Sequence, residues 1–174
     1  MKKILFLSIV LIFNSCNKDD ADNKISNTSI DLVTGLTLRQ TIDDTFLTLG
    51  NPNIYTNNIF IIYPNSSTGF LSIASNDSIS DVWVIPGNPV KIHKQTDFSA
   101  VLNSSLYSES QIQDKSQLEL NDINSLNIIL DINSLNSGYY KVFVKINNTI
   151  YWDNIYLEKN GDENSFNEII NYWN

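Results

Sequence analysis

The sequence predicts an all-β domain, an antiparallel β-sandwich followed by a short C-terminal helix. Short runs of alternating β-branched and aromatic residues recur from Ile30 onward, and clusters of Asn, Ser, Gly and Pro separate them. No long stretch has the 3.6-residue period of a helix, and many short strands broken by turns are typical of a sandwich or barrel. The predicted strands comprise residues 30–38, 44–49, 57–63, 68–74, 80–85, 90–94, 117–120, 126–132, 139–146 and 149–157.

The first fifteen residues are typical of a bacterial export signal. Lys2 and Lys3 are positive, residues 4–13 form an apolar run, and the small Ser15 ends the segment. Ten helical residues span about 15 Å, half of the ~30 Å hydrocarbon core of a bilayer. The pattern therefore favours a signal peptide over a transmembrane helix.

The only cysteine of the chain, Cys16, follows this signal directly. An unpaired thiol in an exported protein can only react or pair between chains. Residues 13–16, Phe-Asn-Ser-Cys, resemble the lipobox of bacterial lipoproteins. That resemblance implies cleavage before Cys16 and acylation of this residue, where two or three acyl chains anchor a protein firmly in the outer membrane.

The residues after the cysteine resemble an export signal of Bacteroidetes surface lipoproteins, Cys-x-Lys followed by two acidic residues. Lys18, Asp19 and Asp20 occupy the matching positions. The resemblance implies display on the outer leaflet, facing the medium. The alternative is an acidic spacer on a protein of the periplasmic face. Residues 16–29 are polar and non-periodic throughout, which predicts a flexible tether.

Composition predicts one domain over residues 30–158 and disfavours nucleic acid as a partner. The whole chain carries 11 basic and 19 acidic side chains, a net charge of −8. Nucleic-acid binding depends on clustered Lys and Arg, and the sequence has no such run.

The clearest local prediction is a hairpin near the end of the chain. Residues 139–146 alternate between two faces, and Asn147-Asn148 tolerates the positive φ of a two-residue hairpin turn. Residues 149–157 would return antiparallel, with a bulge at Asp153-Asn154.

The approach to this hairpin resembles the entry to strand F of immunoglobulin-like and fibronectin III-like sandwiches. The run Leu-x-x-Gly-x-Tyr-x-Val-x-Val at residues 135–144 carries the resemblance. It implies an immunoglobulin-like β-sandwich in which Tyr140 forms a tyrosine corner and Gly138 allows a close backbone approach. Trp83 would be the core tryptophan of strand C.

The tail, residues 159–174, predicts a short amphipathic helix. Ser165 and Glu168 have the spacing of a capping box. Apolar residues then follow at helical spacing: Phe166, Ile169, Ile170 and Trp173. So short a helix must pack on something, either its own sandwich or a partner protein.

The sequence predicts no catalytic residue, no cofactor and no metal. The only histidine, His93, alternates with apolar residues between two lysines, which predicts an outward polar position. Zinc sites need several His or Cys ligands, and no acidic cluster has the spacing of a calcium loop. Asp77-Ser78-Ile79 resembles the O-glycosylation sequon of exported Bacteroidetes proteins, which implies a glycan on Ser78.

The predicted function is a non-catalytic binding module that contacts a protein or a glycan through loops or an exposed strand edge. The candidate exposed aromatic residues are Tyr55, Tyr63, Tyr107 and Phe143. Aromatic residues clustered on one face would favour a glycan, and a flat apolar patch or open edge would favour a protein. The alternatives are an immunity or inhibitor lipoprotein that neutralises a secreted toxin, and a hydrolase with an unrecognised carboxylate site.

Overall fold

The computed structural model describes residues 28–97, 107–159 and 163–174. These residues confirm the prediction of a mainly β chain that ends in a helix. The elements are β1 (Ile30–Leu32), β2 (Thr37–Leu38), β3 (Leu47–Thr48), β4 (Phe60–Tyr63), β5 (Phe70–Pro89), α1 (Glu109–Lys115), β6 (Leu118–Leu120), β7 (Ser125–Asp131), β8 (Gly138–Ile146), β9 (Thr149–Leu157) and α2 (Glu163–Trp173).

The 20-residue strand β5 organises a mixed sheet of seven strands. Its first half pairs with β4 and β7, and its second half pairs with β6 and β8, beyond which lies β9. All these pairs are antiparallel, whereas β1 runs parallel to the end of β5. Strands β2 and β3 form a separate antiparallel pair.

The continuity of β5 corrects the prediction of two strands at 68–74 and 80–85. The polar residues between them do not turn the chain back, and their backbone stays extended as part of β5. Ser75 Oγ donates to the carbonyl oxygen of Ile59 and accepts from the N–H of Asp77. The pairing registers shift here, on either side of Ile79, as they do at β-bulges. The predicted strand at 90–94 is also wrong, since β5 ends at Pro89.

Side chains from both halves of the sheet meet in one apolar core. Successive side chains of a strand point to opposite faces, so each strand contributes every second residue. The buried members of this main core are Phe60, Ile62, Leu71, Ile73, Ile79, Val82, Val84, Ile128, Leu130, Ile132, Leu135, Tyr140, Val142, Val144, Ile146, Ile155 and Leu157.

In the second half of β5, the face that points away from the main core is covered by α1. Trp83 is fully buried there with Phe143 and Trp152, against Ile112 of the helix. Trp83 is therefore a core residue, as expected, but it belongs to this second apolar cluster and not to the main core. Helix α1 was not among the predicted elements, although Ser108 and Gln111 form its capping box.

The predicted hairpin is confirmed. Asn147 and Asn148 have φ values of 50° and 65°, which produce the two-residue turn between β8 and β9. The register continues without interruption from Gly138↔Leu157 to Ile146↔Thr149, so the predicted bulge at Asp153-Asn154 is absent.

Helix α2 packs on its own domain. Ile169 and Trp173 are buried against Leu36, Leu38 and Leu49. The helix begins at Glu163, two residues before Ser165, so the predicted capping box lies inside the helix and does not start it. No helix among the described residues is long and apolar enough to cross a membrane.

Candidate functional site

The predicted anchor and export residues lie outside the described residues. Cys16, Lys18, Asp19 and Asp20 all precede residue 28, where the description begins. Strand β1 begins at Ile30, the first residue of the domain range given by the sequence.

Tyr140 makes the hydrogen bond of a tyrosine corner. Its hydroxyl donates to the carbonyl oxygen of Asn136, four residues earlier, at 2.8 Å. Burial raises the pKa of Tyr140, and the hydrogen bond to Asn136 lowers it by a smaller amount. Gly138 has a φ of 148°, but a Cβ there would meet no atom within 4 Å. Backbone conformation, and not the expected close approach, therefore favours glycine at this position.

Ser78 and His93 occupy different surroundings. Ser78 is half-buried within β5, and its Oγ donates to Oδ1 of Asn124 at 2.6 Å. His93 is exposed in the coil after β5. Neither residue belongs to a cluster of metal-binding side chains, since the described residues contain no such cluster.

The aromatic residues named as surface candidates mostly pack inward. Phe143 is 1% exposed, so its assignment to the surface is wrong. The ring of Tyr107 lies 5.6 Å from that of Phe143, and the ring of Tyr55 lies 4.9 Å from that of Trp152. Only Tyr63 of this set lies outside these packed pairs, and it is half-buried on β4.

Two buried ionisable side chains, Lys141 and Asp153, lie on the β8–β9 hairpin. Lys141 is buried, with Nζ 3.5 Å from the ring centroid of Trp152. Burial lowers the pKa of Lys141 to about 7, against a smaller opposing effect of Asp153. Burial likewise raises the pKa of Asp153 to about 7, although the N–H of Asn154 donates to its Oδ1. Both groups therefore titrate near neutrality.

We expect Asp153→Asn to change how stability depends on pH. The pKa of Asp153 is about 7 when folded against 3.8 as its ordinary value, so the folded state binds the proton more tightly. Its contribution to stability must therefore fall as pH rises from about 4 to about 7. The lowered pKa of Lys141 has the opposite effect and raises stability between about 7 and 10.5. Urea unfolding across this range should show a minimum near neutrality in the wild type.

The Asp153→Asn variant should lose the decline on the acidic side of that minimum. The exposed Asp43→Asn variant is the matched control and should reproduce the wild-type curve. If the Asp153→Asn variant still lost stability between about pH 4 and pH 7 as the wild type does, Asp153 would not be the group responsible.

Two surface grooves show where a small ligand could lie. The smaller, about 200 Å³, is lined by Arg39, Asp44 and Phe166 among others. The guanidinium of Arg39 lies 4.8 Å from the ring centroid of Phe46 beside it. The larger, about 330 Å³, is lined by aliphatic and amide side chains, with no carboxylate. Neither groove brings two carboxylates together.

The larger groove lies at one end of an apolar sheet surface. Because the neighbouring side chains point into the main core, alternate residues of β4, β7 and the first half of β5 point outward. We call this surface the outer face. Its members are Ile61, Tyr63, Phe70, Ser72, Ala74, Asn127, Ile129 and Asp131.

The outer face carries large apolar side chains that are exposed. Ile129 is 76% exposed and Phe70 is 55% exposed. Ile42 and Ile59 are also exposed and line the adjoining groove. The corresponding face of the second half of β5 is buried under α1. Clustered exposed apolar residues of this kind mark interaction surfaces.

The chain matches no family model, no curated protein and no solved structure. The candidate site is therefore inferred from the geometry of the structure alone. The sequence had predicted binding through loops or an exposed strand edge, without showing which strand.

Proposed function

We propose that the protein is a lipid-anchored outer-membrane lipoprotein, displayed at the cell surface, that binds a partner protein without catalysis. The observation that carries the proposal is the exposed apolar outer face around Ile129 and Phe70. Burying each of these side chains in an interface would contribute roughly 1.5–3 kcal/mol. A partner that covers the outer face therefore gains more binding free energy than a partner that contacts only the polar loops.

The chemistry of the outer face favours a protein over a glycan. Its large exposed apolar residues are Ile129 and Phe70, whereas the three tryptophans are buried: Trp83, Trp152 and Trp173. Stacking on sugar rings would need such aromatic side chains on one exposed face. A flat aliphatic patch beside an open strand fits protein association.

The anchor and the fold family belong to the same proposal. Cys16 would carry the lipid, Lys18, Asp19 and Asp20 would direct export, and residues 16–29 would hold the domain away from the membrane. We also propose that the fold is a variant of the immunoglobulin-like β-sandwich, which the Tyr140–Asn136 hydrogen bond supports. The single strand β5 that serves both halves and the parallel pairing of β1 distinguish this sheet from two separate antiparallel sheets.

A second candidate is an immunity or inhibitor lipoprotein that neutralises a basic secreted toxin. The net charge of −8 favours it, because an acidic surface attracts a basic protein over a Debye length of about 8–10 Å.

Photo-cross-linking in intact cells tests the proposal. A photoreactive phenylalanine in place of Ile129 should cross-link to one predominant protein on illumination. The matched control carries the same group in place of Gln113, an exposed residue of α1, which covers the other half of β5. Cross-links from position 113 alone, or from neither position, would contradict the proposal.

A further inference from the structure

The outer face ends at an edge that is open to another strand. Residues 118–131 run antiparallel along β5, from the pairing of β6 with residues 82–84 to that of β7 with residues 70–79. The N–H of Ile123 donates to the carbonyl oxygen of Ser80 between the two strands. On their other side, β6 and β7 pair with no further strand among the described residues.

Hydrogen-bond alternation shows which backbone groups point to that open side. The N–H of Ile132 donates to the carbonyl oxygen of Gly69, so position 132 faces β5. Facing positions alternate in an antiparallel pair, which places Ile128 and Leu130 toward β5 and Asn127, Ile129 and Asp131 away from it. Ser125 Oγ bonds both backbone groups of Asn127. Ile129 and Asp131 therefore direct N–H and C=O groups to the open edge.

The side chains along this edge are apolar and acidic. Glu119, Asp122 and Asp131 are exposed, and the sequence has no Lys or Arg from residue 116 to residue 135. Lys159 lies at one end of the edge, where its Nζ donates to the carbonyl oxygen of Asn133, and Lys145 lies toward the other end, 3.9 Å from Asp81, which accepts from the N–H of Asp122. Natural sheet edges are commonly protected by Lys or Pro, and β7 contains neither.

We propose that β7 binds an extended, lysine- or arginine-containing segment of a partner protein as an added strand. The inference rests on the proposed function and names its partner class. Main-chain hydrogen bonds would form at Ile129 and Asp131, as in other strand additions. An apolar side chain opposite Ile129 would extend the outer face, and a cation two residues away would lie opposite Asp131. A second copy of the chain fits less well, because its edge brings the same carboxylates.

Binding of synthetic peptides to the purified full-length protein in detergent tests this inference. The probe is a fluorescent peptide, Lys-Thr-Val-Thr-Lys-Thr-Val-Thr-Lys, which places Lys and Val alternately on one strand face and is measured by anisotropy at low and high salt. Its controls replace every Lys by Glu, or methylate the backbone nitrogens on one edge. We expect binding of the lysine peptide, weakened by salt, and at least about tenfold weaker binding of both controls.

Variants of the protein localise the binding. Ile129→Pro removes an N–H that points away from β5, and edge strands tolerate proline at such positions. It should weaken binding at least about tenfold with an unchanged thermal midpoint. Asp131→Asn keeps the acceptor for the N–H of Asn133 and should reduce the salt dependence. Asp43→Asn, in the exposed loop before β3, is the charge-matched control and should bind like the wild type.

Equal binding of the Lys and Glu peptides, no binding of either, or full binding by Ile129→Pro would overturn the inference. A dimer of the protein alone that Ile129→Pro dissociates would also overturn it and would identify a second copy as the occupant. If peptides fail while position 129 still cross-links to a protein in cells, the proposed function stands and strand addition fails.

Discussion

Replacing Asn65 by alanine is expected to lower the free energy of unfolding by about 3–5 kcal/mol, because three buried backbone groups lose their partner. The Asn65 side chain donates to the carbonyl oxygens of Thr37 and Asn154 at 2.9 and 3.0 Å. Its Oδ1 accepts from the N–H of Tyr156 at 3.1 Å. One amide thus joins β2 to the outer edge of β9. Urea unfolding measures the loss.

Two variants separate this role from a general effect of substitution. Asn65→Asp keeps the acceptor for Tyr156 but removes both donors, so it should also be strongly destabilised. Asn58→Ala, at an exposed position before β4, should change stability by no more than about 0.5 kcal/mol. A loss below about 1 kcal/mol for Asn65→Ala would show that the amide does not hold the two elements together.

Trp173→Ala is expected to cost about 3–5 kcal/mol, the usual range for removing a buried tryptophan. Trp173 is 1% exposed and packs with Ile169 against Leu36, Leu38 and Leu49. Its ring also makes edge contacts with Tyr139 and Tyr172. The loss should appear in the thermal midpoint and as faster hydrogen exchange in α2 and β2.

Phe166→Ala provides the control on the same helix. Phe166 belongs to the predicted apolar stripe but is 42% exposed, so its removal should cost less than about 1 kcal/mol. Equal effects of the two substitutions would mean that α2 does not pack on the domain through Trp173.

The sequence could predict elements whose signals are local. The β8–β9 hairpin follows from alternation and the Asn147-Asn148 turn, and α2 follows from its apolar stripe. Strand β5 could not be predicted as one element, because Ser75, Asn76 and Asp77 have turn composition and the structure keeps them extended. Helix α1 had a readable signal in Ser108 and Gln111, but its apolar pattern has only Ile112 as a buried anchor.

The candidate site exists because no described element packs over this face of the sheet. The hydrophobic periodicity of a sequence does not show which faces other elements will cover. The run Ile128-Ile129-Leu130 is apolar at every position, so it predicts a strand without showing which side chain is exposed. Ile128 and Leu130 point into the core, and only the lack of cover on the other side exposes Ile129. Lys141 illustrates the reverse case, a charged residue at an outward position that neighbouring elements bury.

Cross-link yield from position 129 in intact cells shows whether a partner covers the outer face, because it reports that partner without assuming its identity. Yield at 129 should greatly exceed yield at 113. Phe70→Asp should reduce the yield at 129, because it replaces a large exposed apolar side chain by a charge on the same face, two residues from the partner of Ile129. Equal yields at the two positions, or a yield at 129 that Phe70→Asp leaves unchanged, would contradict the account.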